Sequence, residues 1–282
     1  MNARILAALA YIEEHISEQI DLGSAAAQVG LSKFYFERLF QAEIGQPFYA
    51  YLKRVRMQGA AARLKWTSQS MLDIASGYGY GSNASFTRAF HSYWGVSPTA
   101  YRSDHESWSA VPHYQGGSSE NPPRIQVREI GSYRCIFRRY YGPYSTLQES
   151  WSDFLGRLPE PLRGSGLTGP FLGRVYDDPR ITPAHEIRYD CCYVFADAED
   201  ARLGLDRMRD GLVTTDAGLY AVVDNNCEPR SRSEVYSFVL DKWMPTTRYR
   251  YSDVPALEMF MESPVEANSP WAPACTMFVP LE

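Results

Sequence analysis

The chain is short of cysteine, with five in 282 residues, at positions 135, 191, 192, 227 and 275, and no Cys-x-x-Cys pair. An odd count without paired spacing argues against a disulfide-stapled secreted domain and against a zinc ribbon. It predicts reduced thiols and a cytoplasmic location. Cys191-Cys192 lies in a strand-like run, where half-buried structural cysteine is a plainer reading than a vicinal redox or metal pair. Long apolar runs are also missing. None approaches the ~18 residues that cross a bilayer, so no membrane partner is expected. The stretch from Ile5 to Ile12 resembles a signal core only faintly, because Glu13 and Glu14 follow it and no small-residue cleavage site does. The chain also lacks a nucleophile–base–acid triad, metal-ligand spacing and a glycine-rich phosphate loop. The expectation is no catalytic residue, no metal and no cofactor: a protein that is not an enzyme.

Surplus positive charge is absent as well. The net charge is −5, which disfavours a protein that binds polyanions with its whole surface. The charge is unevenly spread, however. Residues 33–102 hold nine Lys/Arg against three Asp/Glu, a surplus of six, whereas residues 106–282 hold 18 against 25, a deficit of seven. A nucleic acid would be drawn to the first segment and repelled by the second. The length suits two domains. Ser103, Asp104, Gly116-Gly117-Ser118-Ser119 and Pro122-Pro123 mark a linker. The division is therefore 1–106, a linker at 107–122, and 123–282.

Within residues 24–101 one short pattern occurs twice, fifty positions apart. Ala25 recurs as Ala75, Ser32 as Ser82, Phe36 as Phe86, Arg38 as Arg88, Phe40 as Phe90, Gly45 as Gly95 and Tyr51 as Tyr101. Each copy reads as a short helix, a tight turn and a second amphipathic helix ended by glycine: a helix-turn-helix, whose second helix enters the DNA major groove. In the first copy Asp21 or Ser24 caps Leu22 to Val29, Gly30 makes the turn and Ser32 caps the second helix. Phe36, Leu39 and Phe40 face its core, leaving Lys33, Tyr35, Glu37, Arg38 and Gln41 on other faces. In the second copy Ser70 caps the first helix, Gly77 to Gly81 form the turn and Ser82 caps the second. Asn83, Ala84, Thr87 and Arg88 point outward. A helix from Pro47, in its first turn, to about Trp66 joins the copies, and Ile5, Leu9, Ile12 and Ile16 mark another ahead of them.

Residues 4–102 closely resemble the AraC/XylS family of transcription regulators. The most specific match is the run Phe86-Thr87-Arg88-Ala89-Phe90-His91-Ser92-Tyr93-Trp94-Gly95-Val96-Ser97-Pro98 followed by Tyr101-Arg102; Ile74-Ala75 and Gly79-Tyr80 also fit. The resemblance implies base contacts from Phe34, Glu37 and Arg38 in the first unit and from Asn83, Ala84, Thr87 and Arg88 in the second. Lys33, Tyr35 and the cap Ser82 complete the candidate DNA-facing set. Glu37 departs from the amide or basic residue of many relatives. It could accept from cytosine N4, or pair with Lys33 or Gln41 and read nothing. Ala84 suits a thymine methyl. Arg38 and Arg88 can serve phosphates as readily as bases.

Beyond the linker the pattern becomes mixed α/β. Strands are expected over 125–129, 135–140, 171–176, 187–195, 218–223, 256–261 and 275–279. Helices are expected over 143–158, 201–209 and 231–243. Two strand–helix–strand–strand repeats imply a pseudo-symmetric α+β domain with a cleft between its halves. Around Glu258, alternation puts Leu257, Met259 and Met261 on one face and Glu258 with Phe260 on the other. A carboxylate beside an aromatic, in a segment rich in Tyr and Trp, suits a lipophilic, aromatic cation. Candidate walls are Tyr144, Trp151, Tyr176, Tyr193, Tyr220 and Trp243. Residues 123–282 resemble the GyrI-like effector-binding domain, through Gly142-Pro143-Tyr144, Gly218 to Val222, Trp243-Met244-Pro245 with Tyr249, Leu257 to Phe260, and Met277 to Leu281. That resemblance implies that Glu258 lies in a ligand cleft; a structural salt bridge to an arginine is the alternative. The order of the two domains resembles Rob-type regulators.

The expected function is a sequence-specific, effector-responsive DNA-binding regulator. Its expected partners are double-stranded DNA and a small cationic aromatic effector, with RNA polymerase a further candidate. Two alternatives stay open for the second domain: a small-molecule hydrolase using Glu258 as a general base, and a protein-interaction module.

Overall fold

The computed structural model describes residues 2–104, 122–163, 170–195, 211–225, 231–265 and 275–282. The chain divides into two compact units, Met1–Ala110 and Val111–Glu282. The expected linker lies outside the described residues apart from position 122, and the expected helix at 201–209 lies outside them entirely. Among the described residues no helix is long and apolar enough to cross a membrane.

Local signals dictate the helices of the first unit. Asn2 caps α1 (Ala3–Glu14) by accepting from the Arg4 amide. Asp21 caps α2 (Leu22–Gln28) in a reciprocal box with Ser24. Ser32 caps α3 (Lys33–Ile44), Ser70 caps α5 (Met71–Gly77) and Ser82 caps α6 (Asn83–Trp94). The 19-residue α4 (Phe48–Trp66) links the two copies and spans about 28 Å at the standard rise. Pro47 stands at its N-cap rather than within the first turn, since its fixed φ suits the extended −61°, 150° found there. A seventh helix, α7 (Pro98–Ser103), was not expected, although Ser97 at its cap and Pro98 at its first position signal one.

The two copies share one core plan. Phe40 meets Tyr51 edge-on at 5.4 Å, and Phe90 meets Tyr101 in the same way at 5.2 Å. Gly45 and Gly95 close α3 and α6 in the left-handed region, at φ of 80° and 75°. The repeat is not a uniform fifty residues, however. The caps Asp21 and Ser70 are 49 apart, as are the left-handed turn glycines Gly30 (φ 66°) and Gly79 (φ 75°), whereas Ser32 and Ser82 are 50 apart. The second turn is one residue longer, and the structural counterpart of Ala75 is Ala26 rather than Ala25. The hydrogen bonds agree: the Leu31 amide donates to the Ala26 carbonyl at 2.9 Å and the Tyr80 amide to the Ala75 carbonyl at 2.8 Å.

The second unit is an antiparallel eight-stranded sheet: β1 (Ile125–Ile130), β2 (Arg134–Tyr141), β3 (Phe171–Val175), β4 (Arg188–Val194), β5 (Gly211–Thr214), β6 (Gly218–Asp224), β7 (Ala256–Phe260) and β8 (Thr276–Leu281). The order β1-β6-β8-β7-β3-β4-β2-β5 is its own mirror image when each strand is exchanged with the one four places on. Two halves of strand–strand–helix–strand–strand thus meet along the β3–β7 seam and exchange their first strands, β1 pairing with β6 and β5 with β2. Each half carries one strand ahead of the expected repeat. The one missed, β5, is four residues long and lies at the sheet edge. A 3-10 turn, Tyr144–Thr146, leads into α8 (Leu147–Arg157), and the four-residue α9 (Glu160–Arg163) follows. The helix expected at 231–243 is α-helical only over α10 (Arg232–Ser237). Phe238–Trp243 widens into a π-helical stretch, a local feature that often marks functional sites.

Residues opposite one another across the ladder share a face of the sheet. One face carries Phe260 opposite Phe171, and Glu258 opposite Gly173, which is itself opposite Cys191. The other carries Leu257 opposite Arg174, and Asp190 opposite both Arg174 and Arg139. α8 covers the first face through Trp151, whose ring meets Phe171, Tyr189 and Phe260 at 6.3, 6.3 and 5.6 Å.

Candidate functional site

The first unit presents two second helices of equal length, one in each helix-turn-helix copy. α3 and α6 each have 12 residues, with the cap serines accepting from the Tyr35 and Ser85 amides at 3.3 and 3.2 Å. Buried Phe36 and Phe40, or Phe86 and Phe90, fix the inward face. Lys33, Phe34, Tyr35 and Arg38 are left exposed on α3, and Asn83, Ala84, Thr87 and Arg88 on α6. Phe34 is 75% exposed, and the Arg38 guanidinium lies 5.8 Å from its ring centroid, so the two form one protruding pair. Two candidates are less free than expected. The Ser82 hydroxyl is engaged in the cap. Glu37 is half-buried, and its Oε2 is shut from solvent without a hydrogen-bond partner, which takes that oxygen away from a base.

The basic surplus is also smaller at the surface than in the sequence. Arg54 is buried under Gln58 and the Tyr51 ring. Arg56 is buried too, donating to the carbonyls of Ile16 and Glu18; burial pushes its pKa below the ordinary value. It lies so close to Gly79 that a Cβ there would strike the guanidinium, so this turn needs glycine for space as well as for φ. Arg102 ties the Leu64 and Gln69 carbonyls at 3.4 and 2.7 Å. These three arginines hold loops together, and the Lys65 Nζ is shut from solvent as well; Lys33, Arg38 and Arg88 are exposed, and Lys53 and Arg63 are half-buried.

In the second unit the site centres on Glu258, 1% exposed on β7. The Tyr189 hydroxyl donates to its Oε2 at 3.1 Å and the Tyr236 hydroxyl to its Oε1 at 3.4 Å. Glycine at 173 makes the first bond feasible, because a Cβ there would overlap the Tyr189 hydroxyl. Burial, and then the Glu258 charge, push both phenols well above their ordinary pKa, so they stay protonated donors. The Arg232 Nε lies 2.9 Å from Oε2, with the guanidinium 5.6 Å from the Phe260 centroid. Burial opposes the Arg232 charge, yet Glu258 more than offsets it and holds the pKa above the ordinary value.

Of the expected wall residues, Trp151 and Phe260 join this cluster directly. Tyr144 joins through Tyr189 at 6.3 Å, and Tyr193 reaches its margin through Phe171 at 5.8 Å. The other three make their contacts elsewhere. Tyr176 shares the parity of Arg174; its hydroxyl donates to Asp190 at 2.7 Å, and its ring is flanked by Arg139, Arg174 and Arg188. Tyr220 donates to the Asp216 carbonyl at 2.9 Å and meets Phe278, both set by its place on the opposite sheet face. Trp243, at the end of the π-helical stretch, stacks on Tyr249. Sequence reasoning missed Tyr189, Tyr236, Arg232 and Gly173. Parity would have given Tyr189 from Tyr193, and the i, i+4 spacing pairs Arg232 with Tyr236.

Comparison with known proteins places both units. Residues 25–104 match a helix-turn-helix domain family, and residues 160–282 match the family described as a GyrI-like small molecule binding domain. The chain is 31% identical over 181 residues to the transcriptional regulator Rob of Salmonella typhimurium, covering 58% of this chain and 62% of that one. It is 30% identical over 165 residues to the right origin-binding protein of Escherichia coli K12, covering 54% and 56%. Over 94 residues it is 33% identical to the regulatory protein SoxS of Escherichia coli K12, covering 33% of this chain and 88% of that one. The chain thus spans about six tenths of the length of the first two relatives.

Proposed function

Because the chain belongs to the AraC/XylS family, with a GyrI-like second domain homologous in arrangement to Rob, we propose that it is a cytoplasmic, sequence-specific DNA-binding transcription regulator that is not an enzyme. The proposed reader is residues 1–106, the proposed linker 107–122 and the proposed effector domain 123–282. The observation that carries the DNA reading is the pair of identically capped helices with exposed polar faces on one unit. One chain would then read two successive major grooves, with α4 as the spacer. RNA polymerase remains a proposed partner of the bound regulator.

The test is binding of the full chain to a duplex selected from a random pool. Arg38→Ala and Arg88→Ala are each expected to cost about 1–3 kcal/mol on that duplex and to relax base preference at one position. Equal weakening on every sequence would assign them to phosphates, and a folded chain that binds no duplex at low salt would overturn the reading.

The effector domain is proposed to take a lipophilic aromatic cation at Glu258. Support comes from a carboxylate that is sealed among Trp151, Tyr189, Tyr236 and Phe260 yet stays paired with a cation. Glu258→Gln keeps the volume and removes the charge. Calorimetry with N-methylacridinium and neutral acridine, at mildly alkaline pH, is expected to show the cation weakened by about 2 kcal/mol, some thirtyfold. Acridine should change little. Equal losses for both dyes would make Glu258 a structural residue. Turnover of a small ester or strained ring by the intact chain, lost in the same variant, would favour a hydrolase instead.

A further inference from the structure

Buried ion pairs in the second unit differ in kind; Arg174, for one, reaches Asp190 through a single Nη1 bond at 3.2 Å. Arg139 grips Asp190 with two hydrogen bonds, Nε at 2.7 Å and Nη2 at 3.0 Å. Arg188 grips Asp177 likewise, at 2.9 and 2.8 Å. Both are forks, the geometry by which an arginine fixes structure. Arg232 also comes within 2.9 Å of its carboxylate, but its Nε makes no hydrogen bond. The hydrogen bonds that orient Glu258 come from Tyr189 and Tyr236 instead. Arg232 therefore meets Glu258 through charge and not through a fork, and its side-chain hydrogen bond goes to Cys275.

Its position has the same character. The guanidinium sits over Phe260 and against Glu258, the two groups that an aromatic cation would use. Its side chain keeps some contact with solvent, 20% exposed against 1% for that of Glu258. A buried carboxylate needs a counter-charge whether or not a ligand is bound, and an arginine on the first turn of the six-residue α10 is a movable source of one.

We propose that Arg232 is a built-in surrogate for the effector: it holds the cation position at Glu258 and Phe260 in the free protein, and a cationic effector binds by displacing it. This rests on reading the Glu258 cluster as the effector site. Arg232 then sets selectivity, because a ligand must bring its own positive charge to replace the guanidinium.

The test uses the full chain with N-methylacridinium and neutral acridine. Arg232→Met removes the competing charge and keeps much of the apolar stem. It is expected to tighten N-methylacridinium about tenfold, equal to about 1.4 kcal/mol, and to leave acridine nearly unchanged, with Arg232→Lys in between. A cation affinity that is unchanged or weaker in a folded Arg232→Met would overturn the proposal while leaving the effector site standing. If neither dye binds wild type or variant, the effector-site reading falls together with this one. Should Arg232→Met not fold, the wild type decides. Saturating N-methylacridinium is expected to raise the reactivity of Arg232 toward an arginine-selective dicarbonyl several-fold, read by peptide mapping, and acridine is not. Protection of Arg232 by the cation would overturn the proposal.

Discussion

DNA binding by the full chain is expected to fall between about fortyfold and about five-hundredfold when monovalent salt rises from about 50 to about 200 mM, with a log–log slope between about −2.7 and about −4.5. The figure follows from where the cations lie. Residues 33–102 hold nine Lys/Arg, and if all met phosphates the slope would be near −8 at about 0.9 per contact. Arg54 and Arg56 are buried, however, and Arg102 is turned onto the Leu64 and Gln69 carbonyls. The Lys65 Nζ is shut from solvent too, so five remain: all five on phosphates give the steeper slope, and three, with Arg38 and Arg88 on bases, give the shallower one, at about 0.9 per contact. Filter binding or fluorescence anisotropy across that salt range, on one selected duplex, measures it. A slope near −8 would mean that the three inward arginines and Lys65 turn out to the backbone on binding. A slope near zero would mean that the reading helices do not face the duplex at all.

The first unit was legible in the sequence because its signals are local. Ser32, Ser70 and Ser82 as caps, Gly45 and Gly95 as stops, and Phe spacings of four act within a turn or two of helix, and such signals predict helices well. The one-residue difference between the copies was not legible. Both turns are glycine-containing and the matched serines imposed a single offset, so the extra residue between Gly79 and Ser82 is evident only from the hydrogen bonds. The candidate site around Glu258 was half legible for the opposite reason. Glu258 and Phe260 share a strand, and their parity can be read directly. Tyr189 comes from β4, Gly173 from β3, Trp151 from α8, and Arg232 and Tyr236 from α10. Only the β3–β7 seam, which places Gly173 opposite Glu258, brings them together. A pairing between the two halves of a pseudo-symmetric sheet leaves no local trace in either strand. Parity puts Tyr176 on the face of Arg174, but only the register that sets Arg174 opposite Leu257 shows that this face is turned away from Glu258.

On that opposite face the largest stability effect is expected. Asp190→Asn should destabilise the second unit by about 3–5 kcal/mol, because it leaves buried arginines without their counter-charge. Asp190 is fully buried and accepts from Arg139 Nε and Nη2 at 2.7 and 3.0 Å, from Arg174 at 3.2 Å and from the Tyr176 hydroxyl at 2.7 Å. An asparagine there keeps the volume, loses the charge and turns an N–H group toward guanidinium donors. The same site predicts a pH dependence. Burial raises the Asp190 pKa, but Arg139 and Arg174 outweigh it and leave the carboxyl below its ordinary value. The unfolded chain therefore binds the proton first as pH falls. Stability from this group is fully present above the unfolded carboxylate pKa near about 3.9, and it is lost as pH drops through the depressed folded value. Wild type should lose stability over that acidic window, whereas Asp190→Asn should be flatter there and lower at neutral pH. Hydrogen exchange of the β3 and β4 amides isolates this sheet from the first unit, and urea midpoints followed by the same exchange give the free energy. A triple change, Arg139→Met with Arg174→Met and Asp190→Leu, separates charge from packing, since removing a whole buried network is far less costly than breaking it. Recovery in the triple variant would place the loss in the orphaned arginines. A loss below about 1 kcal/mol for Asp190→Asn alone would show that water reaches the pair and that this network does not hold the sheet together.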